Sequence, residues 1–141
     1  KIFVKDKKEF YDDYAHHPTE IISVLEGLRQ VYKKRKIISV FQPHRYSRIK
    51  SLKSDFAQSF SDSDLVLLCP LYAAGEKKDK MYNQDNFAKL ISKNSRTQVI
   101  NLKDQEDMNN FFKKNLIKDE IIIGMGAGSI SNWLRELKYK L

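Results

Sequence analysis

A single cysteine in 141 residues has no partner for an internal disulfide, so nothing points to an oxidising compartment. That residue, Cys69, lies inside an apolar run, where a buried, inert thiol is expected rather than a nucleophile. Long apolar stretches are missing too. None approaches the ~20 residues needed to span a membrane, and Lys1-Ile2-Phe3-Val4-Lys5 has no core for a secretory signal. Three histidines without an H-x-x-x-H pair give no recognised metal-ligand spacing, so no metal site is expected in this chain. There is no G-x-x-x-x-G-K-[ST] phosphate loop and no G-x-S-x-G nucleophile elbow. Acidic residues are the minority, 18 against 26 basic, for a net charge of +8. A nucleic-acid face would draw its lysines into one stripe interleaved with aromatics. Here Lys33-Lys34-Arg35-Lys36, Lys77-Lys78, Lys113-Lys114 and Lys138 are scattered, mostly at the ends of elements. A solvated basic surface is expected, with neither a nucleic-acid nor a membrane partner.

Against these absences stands a hydrophobic content of 41%, enough for one domain with a real core. Residues 37–41, 65–69, 97–102 and 121–123 are short apolar, β-branched runs that read as buried strands. Phe10-Tyr11 reads as the end of a shorter strand, with residues 2–4 pairing beside it at an edge. Between the runs, apolar residues recur at helical spacing: Ile21, Leu25, Leu28 and Tyr32; Ile49, Leu52, Phe56 and Phe60; Phe87, Leu90 and Ile91; Met108, Phe111 and Phe112; Ile130, Trp133, Leu134 and Leu137. Pro18 suits a first helical position. The alternation predicts a Rossmann-like, three-layer α/β domain. Its sheet is mostly parallel, of about six strands, with helices on both faces. Residues 70–83 form the longest irregular stretch, a length often put to use in compact domains.

Ligands of open α/β sheets bind beyond the carboxyl ends of the strands, and the unusual polar residues fall there. Asp12-Asp13-Tyr14-Ala15-His16-His17-Pro18 follows the strand ending at Tyr11, and its two histidines, being neighbours, are expected to point apart, one to a ligand and one to pack or to cap the helix. Gln42-Pro43-His44-Arg45-Tyr46-Ser47-Arg48 follows the second. Arginine forks match carboxylates and phosphates, and Arg45 and Arg48, three apart at a helix start, are expected to lean towards the sheet edge. Tyr72-Ala73-Ala74-Gly75-Glu76 follows the third. Gly124-Met125-Gly126-Ala127-Gly128-Ser129 follows the last, and its glycines are expected to let backbone approach a ligand and offer N–H groups to an oxyanion. A dinucleotide fingerprint needs an acidic residue about 20 positions on, and only 12 residues follow Ser129.

Together these four runs resemble the C-terminal domain of the Mur ligases, over residues 10–137. Asp12 to Glu20 matches the motif that opens that domain. Phe41 to Arg48 matches its second signature, Tyr72 to Glu76 its Y-x-A-G-E loop, and Gly126-Ala127-Gly128-Ser129-Ile130 its terminal turn. Ser129 departs from the acid or amide common there. The second signature favours the alanine-adding branch; the branch that recycles a murein tripeptide reads more like P-R-S-N-T-M. A stand-alone α/β module for a nucleotide or anion is the other alternative.

The resemblance implies a bacterial, cytoplasmic, ATP-dependent reaction that joins L-alanine to UDP-N-acetylmuramate through an acyl phosphate in peptidoglycan precursor synthesis. It implies that residues 1–141 are the amino-acid-binding domain that closes over ATP, and that UDP-binding and ATPase domains lie outside this chain and hold most of the ATP and Mg2+. The fragment alone would be inactive. By the same resemblance, Asp13 bonds the ATP ribose; Tyr14, His16 and His44 line the amino-acid pocket; Arg48, with Arg45, holds the alanine carboxylate or nearby anions; Ala127 lies near the alanine methyl. His16 or His44 would take a proton from the amine, since imidazole titrates in the useful range.

Overall fold

A computed structural model of the chain describes residues 1–116 and 118–141. In chain order the elements are β1 (Phe3–Lys5), β2 (Lys8–Asp13), α1 (Pro18–Val31), β3 (Ile37–Phe41), α2 (Tyr46–Ala57), β4 (Leu65–Leu68), α3 (Gln84–Ser95), β5 (Gln98–Asn101), α4 (Gln105–Asn115), β6 (Ile121–Met125) and α5 (Ile130–Leu137). They build the expected three layers around one six-stranded sheet of order β1-β2-β6-β3-β4-β5. β2, β6, β3, β4 and β5 run parallel, and β1 pairs antiparallel with β2. The β1–β2 turn places both Asp6 (φ 51°) and Lys7 (φ 70°) in the left-handed region, as a two-residue hairpin of type I′ requires.

Alternation along β3 shows why the sheet is buried on both sides. Ile37 and Phe41 face one core, with Ile21 and Leu25 of α1, Phe56 of α2 and Phe87 and Ile91 of α3. Ile38 and Val40 face the other, with Met108 and Phe112 of α4 and Ile130, Leu134 and Leu137 of α5. Cys69 is fully buried in this second core, and burial holds its thiol well above the usual range. The stripe expected through Phe60 is interrupted. Leu52 leaves helical geometry (φ −121°, ψ 22°), and α2 stops at Ala57. Phe60 is buried all the same, its ring against Phe41 with centroids 5.2 Å apart, and Ser95 of α3 accepts its backbone N–H at 3.0 Å. Among the described residues no helix is long and apolar enough to cross a membrane.

The strand order creates the place for a site. The last strand, β6, enters between β2 and β3. Its own connection leads to α5 on one face, while those of β2 and β3 lead to α1 and α2 on the other. Neighbouring strands whose connections part to opposite faces leave a crevice at their carboxyl ends. The segments after β2, β3 and β6 meet there.

Candidate active site

At the end of β2 the paired aspartates separate, because successive residues of a strand face opposite sides of the sheet. Asp12 turns to α5, where its Oδ2 accepts from Ser131 Oγ and from Arg135 at 3.4 Å. Asp13 stays at the edge, and its Oδ1 accepts the Ala15 N–H at 2.8 Å. This tight turn buries Ala15 and leaves Tyr14 70% exposed. The two histidines then part as expected. His17 caps α1: its Nδ1 accepts the Thr19 N–H at 3.3 Å, while Glu20 accepts the His17 N–H at 3.1 Å. This is a capping box with histidine in place of serine or threonine, and Pro18 occupies the first helical position. His16 turns the other way, with its Nδ1 2.8 Å from the Tyr14 carbonyl and 3.7 Å from Glu20.

Beyond β3 the chain leaves the sheet at Gln42 and touches the loop after β4. His44 and Tyr72 form an isolated parallel bridge. Tyr72 donates its N–H to Pro43 O, and Arg45 donates its own to Tyr72 O, each at 2.8 Å. The rings of His44 and Tyr72 stack, with centroids 5.7 Å apart. One helical turn on, Arg48 reaches back, donating to His44 Nδ1 at 2.8 Å and to His44 O at 3.1 Å. Burial, and then the positive charges of Arg48, His16 and Arg45, hold the His44 imidazole below its ordinary pKa.

Arg45 precedes α2 with φ at 69° and supplies no side-chain cap. Glu76, from the β4 loop, does that work instead by accepting the Ser47 N–H at 3.2 Å and the Ser47 hydroxyl. Those bonds keep the Glu76 carboxyl below the ordinary range. Positive φ in a non-glycine residue costs on the order of 1–3 kcal/mol and persists where surroundings over-determine it. Arg45 and Ala74 (φ 53°) both lie in these loops.

The small residues of the glycine-rich turn make room for neighbouring protein. A Cβ on Gly124 would stand 1.9 Å from Leu134 Cδ1, so this glycine lets α5 press on the sheet. A Cβ on Gly128 would stand 2.6 Å from the Tyr72 ring and 2.7 Å from Gln42 Oε1. The first N–H of α5, from Ile130, is taken by Gln42 Oε1 at 3.1 Å, and Gln42 Nε2 donates to Ser129 Oγ at 2.9 Å. Gly126 N–H donates to Asp13 O at 3.4 Å. The turn is stitched to its neighbours by Gln42, which is 3% exposed.

Tyr14, His16, His44 and Tyr72 thus form a continuous row, with ring centroids 5.4, 5.9 and 5.7 Å apart in turn, and Arg48 stands behind His44. Asp13 and Ala127 flank the row at the ends of β2 and β6, and exposed Arg45 lies on the α2 side. The row lies on an open edge. Hollows of about 230 and 280 Å³ lie elsewhere, one beside the β1–β2 hairpin and one between α2 and Tyr82. Sequence reasoning gave no role to Glu20, Gln42, Tyr72 or Glu76. Glu20 carried a signal, three residues after the cap position. Gln42, Tyr72 and Glu76 lie in runs the sequence singled out, but they act across loops distant in sequence, so their individual contacts were not readable.

Comparison with known proteins places this edge in context. The family model described as Mur ligase, glutamate ligase domain, matches residues 2–128. The chain is 50% identical over 137 residues to a UDP-N-acetylmuramate–L-alanine ligase of Pelagibacter ubique, covering 97% of this chain and 30% of the relative. A protein of the same name from Hydrogenobaculum is 41% identical over 134 residues, covering 94% and 28%. The chain therefore spans about 30% of the length of these curated relatives. The crystal structure of UDP-N-acetylmuramate-alanine ligase from Thermotoga maritima superposes with a TM-score of 0.68 at 22% identity, over 98% of this chain and 28% of that one. It shares the fold.

Proposed function

Because this chain belongs to the Mur ligase family through its glutamate ligase domain, we propose that it is the amino-acid-binding, C-terminal domain of a ligase that joins L-alanine to UDP-N-acetylmuramate using ATP. The observation that carries this reading is the row Tyr14–His16–His44–Tyr72 with Arg48 at one sheet edge. A generic nucleotide-binding module has no need of imidazoles at two strand ends. The run Gln42 to Arg48 also lacks the P-R-S-N-T-M pattern of the tripeptide-recycling branch.

In this reading the muramate carboxylate is activated as an acyl phosphate, the amine of alanine attacks the acyl carbon, and phosphate leaves. Arg48 and Arg45 hold the alanine carboxylate, with Tyr14, His16 and His44 around it and Ala127 near the methyl. Asp13 suits a ribose hydroxyl, because the Ala15 N–H occupies Oδ1 and leaves Oδ2 to accept. Among the described residues no three histidines, cysteines or acids gather closely enough to hold a metal ion. We assign Mg2+, and most ATP contacts, to domains outside this chain. An open row with 70%-exposed Tyr14 suits one jaw of a clamp that another domain completes. The test is phosphate release by the full-length protein supplied with ATP, Mg2+ and UDP-N-acetylmuramate. Release that depends on L-alanine is expected, and release indifferent to it would overturn the reading.

A further inference from the structure

Resting on that ligase reading, we propose that His16, not His44, takes the proton from the incoming amine, and that Glu20 is the positioning residue that suits it to do so. The hydrogen bonds of the three histidines divide the work. A guanidinium only donates, so the Arg48 bond to His44 Nδ1 requires a lone pair there and places the proton of the neutral ring on Nε2. His17 is the same, since its Nδ1 accepts the Thr19 N–H. His16 is reversed. The Tyr14 carbonyl only accepts, so the His16 Nδ1 beside it carries the proton, and the lone pair sits on Nε2.

A second proton therefore has different consequences on the two rings. On His44 it would go to Nδ1, break the Arg48 bond, and set a cation against Arg48, Arg45 and His16, with Glu76 alone opposing them. On His16 it would go to Nε2 and leave the Tyr14 bond intact. The new charge would lie by the Glu20 carboxylate, 3.7 Å from Nδ1, with His44 held neutral on the other side. The balance is simple. An N–H bond of the alanine ammonium breaks and Nε2–H forms on His16. The freed amine lone pair makes the new C–N bond, and phosphate departs with the C–O electron pair, carrying the second N–H proton away as hydrogen phosphate. His44 Nε2–H remains a donor for an anion, whether the amino-acid carboxylate or the phosphate.

Three histidines in the chain make the tautomers directly readable by long-range 1H–15N correlation. The 141-residue chain is suitable, because its own helices cover both faces of its sheet. We expect one Nδ1–H ring, His16, and two Nε2–H rings. His16 as Nε2–H, or His44 as Nδ1–H, would overturn the proposal without any variant. In the full-length protein Glu20→Gln keeps a capping box and is expected to lower kcat with alanine while leaving its KM nearly unchanged; an unchanged kcat would remove Glu20 from the account.

In the full-length protein, His16→Gln is expected to lower kcat/KM for alanine at neutral pH by about 10²–10⁴-fold. The deficit should shrink as pH rises and alanine supplies its own free amine. His44→Gln keeps an N–H near the Nε2 position and should leave the shape of the pH profile unchanged. If phosphate release depends on alanine but His16→Gln runs parallel to wild type at every pH, this proposal fails while the ligase reading stands. If no alanine-dependent release occurs, the ligase reading fails whatever the tautomers.

Discussion

The two edges of the sheet use the same residue types to opposite ends. At the amino edge Arg35 donates to Glu9 Oε2, Asp119 O and Lys7 O, each at 2.6 Å. Arg29 donates to Arg35 O, Asp62 O and Asp64 at 3.0, 2.9 and 2.8 Å. These guanidiniums bond backbone carbonyls and carboxylates, and they staple the β1–β2 hairpin and the end of α1 to the sheet. At the carboxyl edge Arg48 bonds a histidine, and Arg45 sits exposed on a strained backbone. Charge type does not separate structure from site here; the completeness of the partners does. The scattered lysines have a place in the same contrast. Lys33, Lys34, Lys36, Lys113, Lys114 and Lys138 lie within or just beyond the last turns of helices. In a parallel α/β fold those ends share one edge and carry the negative pole of the helix dipole.

Within this contrast of the two edges, the largest effect should come from removing the guanidinium of the carboxyl edge. In the full-length protein Arg48→Ala is expected to raise the KM for alanine about 100-fold, from the loss of charge-assisted hydrogen bonds, and to change that for UDP-N-acetylmuramate far less. Equal rises for both substrates would mean that Arg48 is only structural, like Arg35.

Its counterpart at the amino edge is Glu9, whose carboxyl Lys1 and Arg35, despite burial, hold down to about 2. Its folded pKa is depressed, so its stabilisation is fully present above the unfolded value of 4.5 and is lost as pH falls towards about 2. Glu9→Gln should lower the unfolding free energy at pH 7 by about 2 kcal/mol and flatten that acid slope, without changing the KM for alanine. An acid limb as steep as wild type in urea titrations would assign the slope to other carboxyls.

A smaller effect is expected from Gly128→Ala. The added methyl would meet the Tyr72 ring and Gln42 Oε1, lift Tyr72 off His44, and lower kcat/KM for alanine about 10-fold, roughly 1.4 kcal/mol. Unfolding midpoints that fall while kinetics stay intact would make Tyr72 packing alone. The smallest belongs to Glu76→Ala, which removes a helix cap supplied from another loop and should lower the denaturant midpoint slightly. No loss in denaturant midpoint would show that water caps α2 equally well.

Much of this fold is readable from local pattern. The runs at 37–41 and 121–123 became β3 and the start of β6, because a strand buried on both faces is apolar throughout. Pro18 marked the start of α1. All three histidines and both arginines of the site could be placed at strand ends, because turns follow strands at recognisable residues. Other features could not be read in that way. Asp12 and Asp13 look like a pair and serve different faces. The glycines of residues 124–129 look like a ligand cradle, and they also make room for Leu134, Tyr72 and Gln42. For Asp12, held by Ser131 and Arg135, and for Gly128, against Tyr72 and Gln42, the deciding neighbour is distant in sequence.

By itself, then, the sequence determined the layers, the alternation of strands and helices, and the residues with unusual chemistry, because period and turn signals act within a few residues. Only the tertiary structure decided that β6, last to be made, lies between β2 and β3. Strand order depends on long-range pairing that no local window encodes. That insertion sets the loops after β2, β3 and β6 around one crevice and, with the β4 loop folded in, brings His16, His44 and Tyr72 into one row.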